Sequence, residues 1–200
     1  VTITNNAGAS INALGSGNDQ AIDASNAAVN NLTIINSGTI SANDNQTIRV
    51  NNDSNFTLTN NTGGVITADR TAISISTGGG TITNSGTITT TGAGEAIRTA
   101  TSIGLTITNN AGGVFSSTGT SGVIRLDPNH TLINSGSIIN FTSVNNNAIR
   151  LDGDNNTITF KEGGLVVGAI TFDAGTTGNT LKIEQGFGQA YFYETSGTGS

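Results

Sequence analysis

The sequence predicts an all-β chain, a right-handed single-stranded parallel β-helix of about seven coils with three strands per coil. Three observations predict it. One motif recurs along the chain, as TNNAG at 4–8, INSGTI at 35–40, TNNTGGVI at 59–66, TNSGTI at 83–88, TNNAGGVF at 108–115 and INSGSI at 133–138. Around each copy lie short runs in which apolar and polar residues alternate, the period of a strand with one face inward and one outward. Helix signals are missing, because no long stretch carries a 3.6-residue period and Gly and β-branched Thr dominate.

Taking the first Gly of each motif as a marker gives Gly8, Gly38, Gly63, Gly86, Gly112, Gly136 and a degenerate Gly163, with spacings of 30, 25, 23, 26, 24 and 27. Loops absorb slack of that kind while a frame of strands and corners stays constant.

Each period holds three apolar runs. The first precedes the Asn-Gly corner, as in VTIT, LTII, FTLT, GTIT, LTIT, TLI and TITF; the second follows it, as in GTISA, VITA, GTITT, VFSS and SIIN. A third carries the AIR pattern, at Ala21, Thr47, Ala72, Ala96, Val123 and Ala148. Stacked at roughly 4.8 Å per coil, the runs place like residues above one another. Ile3, Ile34, Leu58, Ile82, Ile107, Leu132 and Ile158 form one expected aliphatic column, and Ile48, Ile73, Ile97, Ile124 and Ile149 another. At the first corner Asn36, Asn60, Asn84, Asn109 and Asn134 are expected to stack as a structural ladder of side-chain amides, with the following Gly tolerating positive φ.

Composition agrees and narrows the partners. Only 34% of the residues are hydrophobic, 4% aromatic and 10% charged, which suits a narrow repetitive core better than a compact globular one. Without Cys there is neither a disulfide framework nor a thiolate metal site, and no cofactor is expected. The net charge of −6 argues against nucleic acid, and no run approaches the length of a membrane-spanning helix. The start, VTITNNAG, has no charged or apolar leader, so the chain is expected to begin inside a repeat of something longer. Residues 1–186 are read as β-helix repeats. Residues 187–200, with Phe187, Tyr191, Phe192 and Tyr193, are read as an aromatic cap or a linker to a downstream region.

The ITNSGTI, TNNTGGVI and TNNAGGVF motifs, together with GGLVVGAITFDAGTTGNTLKIEQG at 163–186, resemble the passenger domains of Gram-negative autotransporters. The resemblance covers nearly the whole chain up to Gly186. It implies export to the bacterial cell surface, anchoring in the outer membrane through a C-terminal barrel outside this segment, and adhesion or self-association.

Five sets of side chains are weighed as sites. The third run points Arg49, Arg98, Arg125 and Arg150 outward, with Asp23 and Ser74 in the equivalent places. This stripe suits a sulfated or sialylated glycan or a partner's carboxylate, unless Glu95, Asp127 and Asp152 pair with it. Outward Thr57, Thr59, Thr81, Thr83, Thr106 and Thr108 resemble the flat Thr arrays of β-helical ice-binding proteins, although Ile35 and Ile133 interrupt the pattern. Polysaccharide-active β-helices resemble the fold too, but the same face offers hydroxyls where glycosidase chemistry needs paired carboxylates, so no catalytic residue is assigned and the chain is read as not an enzyme. Asp152 and Asp154, in the Asx-rich turn 151–156, are a weak Ca²⁺ candidate without a closing bidentate Glu. His130 has no second His or Cys with which to make a metal or catalytic site. Asn-x-Ser/Thr sequons at Asn31, Asn45, Asn52, Asn55, Asn129, Asn140 and Asn155 are what an Asn- and Thr-rich composition produces by chance.

Overall fold

The computed structural model describes the chain except residues 16, 18, 26–30, 52, 54, 77, 101–103, 185, 187–194 and 197–200. The described residues form an all-β solenoid of three parallel sheets, with strands taken in turn by the first, second and third sheet. The first sheet has eight strands, Thr2–Asn5, Thr33–Asn36, Phe56–Asn60, Gly80–Asn84, Leu105–Asn109, Thr131–Asn134, Thr157–Lys161 and Thr180–Glu184. The second has seven, Ser10–Ala13, Thr39–Ala42, Val65–Ala68, Thr87–Thr90, Val114–Ser117, Ser137–Asn140 and Leu165–Val167. The third has eight, Ile22–Ala24, Ile48–Val50, Ile73–Ile75, Ile97–Thr99, Ile124–Leu126, Asn147–Leu151, Ala169–Phe172 and the short Thr195–Ser196. The expected cap residues Phe187, Tyr191, Phe192 and Tyr193 lie outside the described residues.

Register explains why so few aromatic residues suffice. Ile34 pairs with Leu58, Leu58 with Ile82, Ile82 with Ile107, Ile107 with Leu132 and Leu132 with Ile158. All six are fully buried, and Ile3 packs against them at the end of the column. The third sheet stacks Ile22, Ile48, Ile73, Ile97, Ile124, Ile149 and Ile170 in the same way. Each side chain meets its equivalents above and below at strand spacing, so apolar area is removed from water without a wide interior.

The predicted Asn ladder exists and begins one coil earlier, at Asn5. Its amides donate in sequence from Asn5 to Asn36 (2.8 Å), Asn36 to Asn60 (2.8 Å), Asn60 to Asn84 (2.9 Å), Asn84 to Asn109 (2.9 Å) and Asn109 to Asn134 (2.8 Å). These side chains are inside the solenoid: Asn36, Asn60, Asn84, Asn109 and Asn134 have no exposed area. Burying an amide is favourable only if its donors and acceptors are met, and an identical amide one coil away meets them. Each amide also donates to backbone carbonyls of its own corner or the next coil, as Asn60 does with those of Gly64 and Thr87. The ladder ends where Asn134 pairs with Phe160 in the next coil.

The glycine expectation needs correcting. Gly8, Gly63, Gly112 and Gly163 do adopt positive φ, at 78°, 82°, 82° and 80°. Gly38, Gly86 and Gly136 do not, and strand register aligns them with the second Gly of the longer corners, Gly64 and Gly113. At this second position the constraint is steric: a Cβ on Gly86 would lie 2.2 Å from the carbonyl oxygen of Gly64, and one on Gly136 would lie 2.3 Å from that of Gly113. Short Asn-Ser-Gly corners thus alternate with Asn-Asn-x-Gly-Gly corners two residues longer, and Asn61 and Asn110 of the long type donate to Ser37 and Ser85 of the short type. Along the Asn ladder the coil lengths are 31, 24, 24, 25 and 25 residues. Apart from the longer first coil, the scatter in the marker spacings reflects two different glycines of the corner.

His130 is also better understood from register. It precedes Thr131, which pairs with Thr106, so it occupies the interior place that Leu105 fills one coil earlier. It is 1% exposed, and its backbone amide donates to Asn156 Oδ1 at 2.8 Å. Burial lowers its pKa from 6.5 to about 4, against the opposing pull of Asp127. The folded-state value lies below the unfolded one, so the unfolded chain takes up the proton first. Stability should therefore be unaffected above about pH 6.5, fall as the pH drops to about 4, and level off below that. The full loss is on the order of 3 kcal/mol. Comparing urea denaturation of the native chain with His130→Leu over this range checks it: the difference between the two should grow on acidification, and parallel pH profiles would rule it out.

Candidate functional site

With the interior filled by aliphatic and amide columns, contact chemistry belongs to the outward faces. On the third sheet strand register places Asp23, Arg49, Ser74, Arg98, Arg125, Arg150 and Thr171 in one outward row, as expected for the Arg stripe. Alternation puts these side chains outside because their neighbours, such as Ile97 and Thr99 around Arg98, are buried.

The row is not uniform. Asp152 lies between the last two arginines, 2.5 Å from Arg125 Nε and 2.5 Å from Arg150 Nε, and its side chain is only 7% exposed. Arg150 also donates from Nη2 to Asp173 Oδ2 at 3.2 Å. Burial pushes the Asp152 carboxyl above its ordinary range despite both guanidiniums. For Arg150 burial alone would lower the pKa, but the hydrogen bond to Asp173 and the charges of Asp152 and Asp173 outweigh it and raise the value. Arg125 and Arg150 are thereby tied to the protein's own carboxylates. Glu95, expected to pair with the stripe, is 7% exposed and accepts a hydrogen bond from Thr71 Oγ1 at 3.3 Å.

Arg49 and Arg98 stand differently. Arg49 is half-buried and Arg98 exposed, and with Arg70 they line an open depression of about 560 Å³ that also holds Asp23, Gln46 and Ser74. Among the described residues no carboxylate is in salt-bridge contact with these three arginines. Sequence reasoning missed Arg70 because it lies on the bend after Val65–Ala68, outside the AIR pattern. Only closure of the coil brings it beside the third sheet.

On the first sheet the outward Thr row runs through every coil and reaches Thr180. Thr2, Thr33, Thr57, Thr81, Thr106, Thr131, Thr157 and Thr180 pair in succession. Beside it Thr59, Thr83 and Thr108 align, flanked by Ile35 and Ile133, with Lys182 closing the row after Thr159.

The remaining candidates have structural uses. Asp152 faces two arginines, and Asp154 accepts a hydrogen bond from the Thr177 amide at 2.6 Å, so the Asx-rich turn directs its carboxylates to different partners instead of one cation. Among the described residues no group of three or more His, Cys, Asp or Glu is gathered closely enough for a metal ion. Of the sequon positions, Asn45 and Asn140 are buried, and Asn31, Asn129 and Asn155 hold positive-φ corners at 63°, 68° and 59°. Asn tolerates that backbone better than other side-chain-bearing residues. Asn52 lies outside the described residues.

Compared with known proteins, the chain matches no family model, no curated protein and no solved structure.

Proposed function

We propose that this chain is a structural and adhesive segment of an exported bacterial surface protein of the autotransporter passenger type. On this reading the full-length protein is anchored in the Gram-negative outer membrane, and the segment makes contact with a host or neighbouring cell surface, with glycans, or with further copies of itself. The observation that carries the proposal is the in-register pairing of the central coils, which turns single outward residues into rows of like groups along the solenoid. Rows suit multivalent contact, in which weak interactions repeat at constant spacing and add. The test is retention of beads coated with the chain on epithelial and bacterial cells and on each other. Retention should climb steeply with coating density; beads that stay no better than albumin-coated ones on any of these surfaces would refute it.

The continuous Thr row favours a second reading, an ice-binding face. Hydroxyls and methyls would repeat about 7 Å along each strand and about 4.8 Å between coils. That reading predicts thermal hysteresis that disappears when Thr81, Thr83, Thr106 and Thr108 are replaced by Lys. A native chain without hysteresis removes it.

A further inference from the structure

The Arg row divides into two halves with different electrostatic surroundings. Arg125 and Arg150 share the chain's own Asp152, whereas Arg49, Arg70 and Arg98 face one open groove in which Asp23 is the acidic lining residue. Three of the seven cations of a chain with net charge −6 thus line one open groove. Convergence of like charges is unfavourable until an anion sits among them, so the groove is arranged for an acidic ligand.

We propose that this groove binds an extended, sulfated polysaccharide running across the coils. Arg49 and Arg98 are two strand steps apart in the row, with Ser74 between them. That separation is about 10 Å, which suits acidic groups recurring along a glycan, and guanidinium forks engage such oxyanions in two hydrogen bonds. Arg70 adds a third cation from the side, and Gln46 offers an amide between the charges for sugar hydroxyls. An acidic peptide would need apolar anchors, yet among the described residues the lining apart from Ala100 is polar or charged. Nucleic acid is disfavoured by the overall acidity and by the absence of an aromatic stacking platform among the described lining residues. This inference rests on the surface-contact reading above and gives it a ligand class.

The experiment is calorimetric titration of the chain with a heparin-derived hexasaccharide, a neutral glucan hexasaccharide and hexaglutamate. Arg49→Ser/Arg98→Ser is compared with Lys161→Ser/Lys182→Ser, which removes the same charge from the first sheet. Ser already occupies the row at Ser74, so the first pair suits the fold. If that double variant nevertheless fails to fold, Arg98→Ser alone, at an exposed position, replaces it. Affinity for the sulfated hexasaccharide should drop at least about thirtyfold in the Arg variant, or about tenfold for Arg98→Ser alone, and less than about threefold in the Lys variant. Equal losses in both variants, no binding by the native chain, or hexaglutamate bound as tightly as the sulfated sugar would each overturn the proposal. Bead adhesion that survives in the Arg variant removes the groove and leaves the contact reading standing. Sulfated-sugar binding by a chain that adheres to nothing does the reverse.

Discussion

Replacing Asn84 by Leu should cost about 3–5 kcal/mol of folding free energy, because it cuts the amide ladder at its middle. Asn84 donates to Asn109 Oδ1 at 2.9 Å and to the Val114 carbonyl at 3.2 Å, and it accepts from Asn60 Nδ2 at 2.9 Å and from the Gly86 amide at 3.3 Å. A leucine of similar volume fills the space but leaves the Asn109 oxygen and the Gly86 amide without these partners in a region closed to water. Asn84→Asp should be no milder, since it turns the donor facing Asn109 into a second acceptor and buries a charge. Asn134→Leu should cost less, because its ladder position faces Phe160 and one coil-to-coil link is already absent. Urea denaturation of the three variants checks the ranking. A loss below about 1 kcal/mol for Asn84→Leu would mean that the aliphatic columns alone hold the coils in register.

A single methyl group at Gly86 should do comparable damage for a different reason. Its Cβ would lie 2.2 Å from the Gly64 carbonyl oxygen, 2.5 Å from that of Asn61 and 2.8 Å from Asn60 Nδ2, all in the preceding corner. No rotamer relieves a clash with backbone. Either the two coils move apart or the strand hydrogen bonds on both sides of the corner break, which points to a loss of about 4 kcal/mol or more for Gly86→Ala. Gly63→Ala is the contrasting case: nothing lies within 4 Å of its Cβ, and only the φ of 82° opposes the substitution, at about 1–2 kcal/mol. Gly63→Asn should cost less still. Melting curves of Gly86→Ala and Gly63→Ala that coincide would show that stacking clearance is not what selects glycine at the corner.

TNSGTI and TNNTGGVI look like one motif with a variable glycine, and neither string says which glycine stacks on which. Strand pairing does, by aligning Thr87 with Val65 and so Gly86 with Gly64. The aliphatic columns and the Asn ladder were legible because like residues recur at the same place in each alternating run, and parallel strands in register must superpose them. Asn5 of TNNAG belongs to the ladder by the same recurrence. His130 read as an isolated imidazole because its interior position follows from pairing with the coil beside it and not from its own neighbours.

The contact surface divides in the same way. Alternation in the AIR runs was enough to put Arg49, Arg98, Arg125 and Arg150 on one outward row, since side-chain direction along a strand is a local property. Which of those charges meet a ligand and which meet the protein is not local. Asp152 reaches Arg125 across a coil, Glu95 turns inward to Thr71, and Arg70 enters the groove from a different corner of the winding. Local repetition therefore dictated the solenoid, its columns and its outward rows, because strand period and stacking distance are the same in every coil. Closure of the coils decided the charge pairing and the groove, because both depend on distances between residues that the chain holds far apart until it is wound.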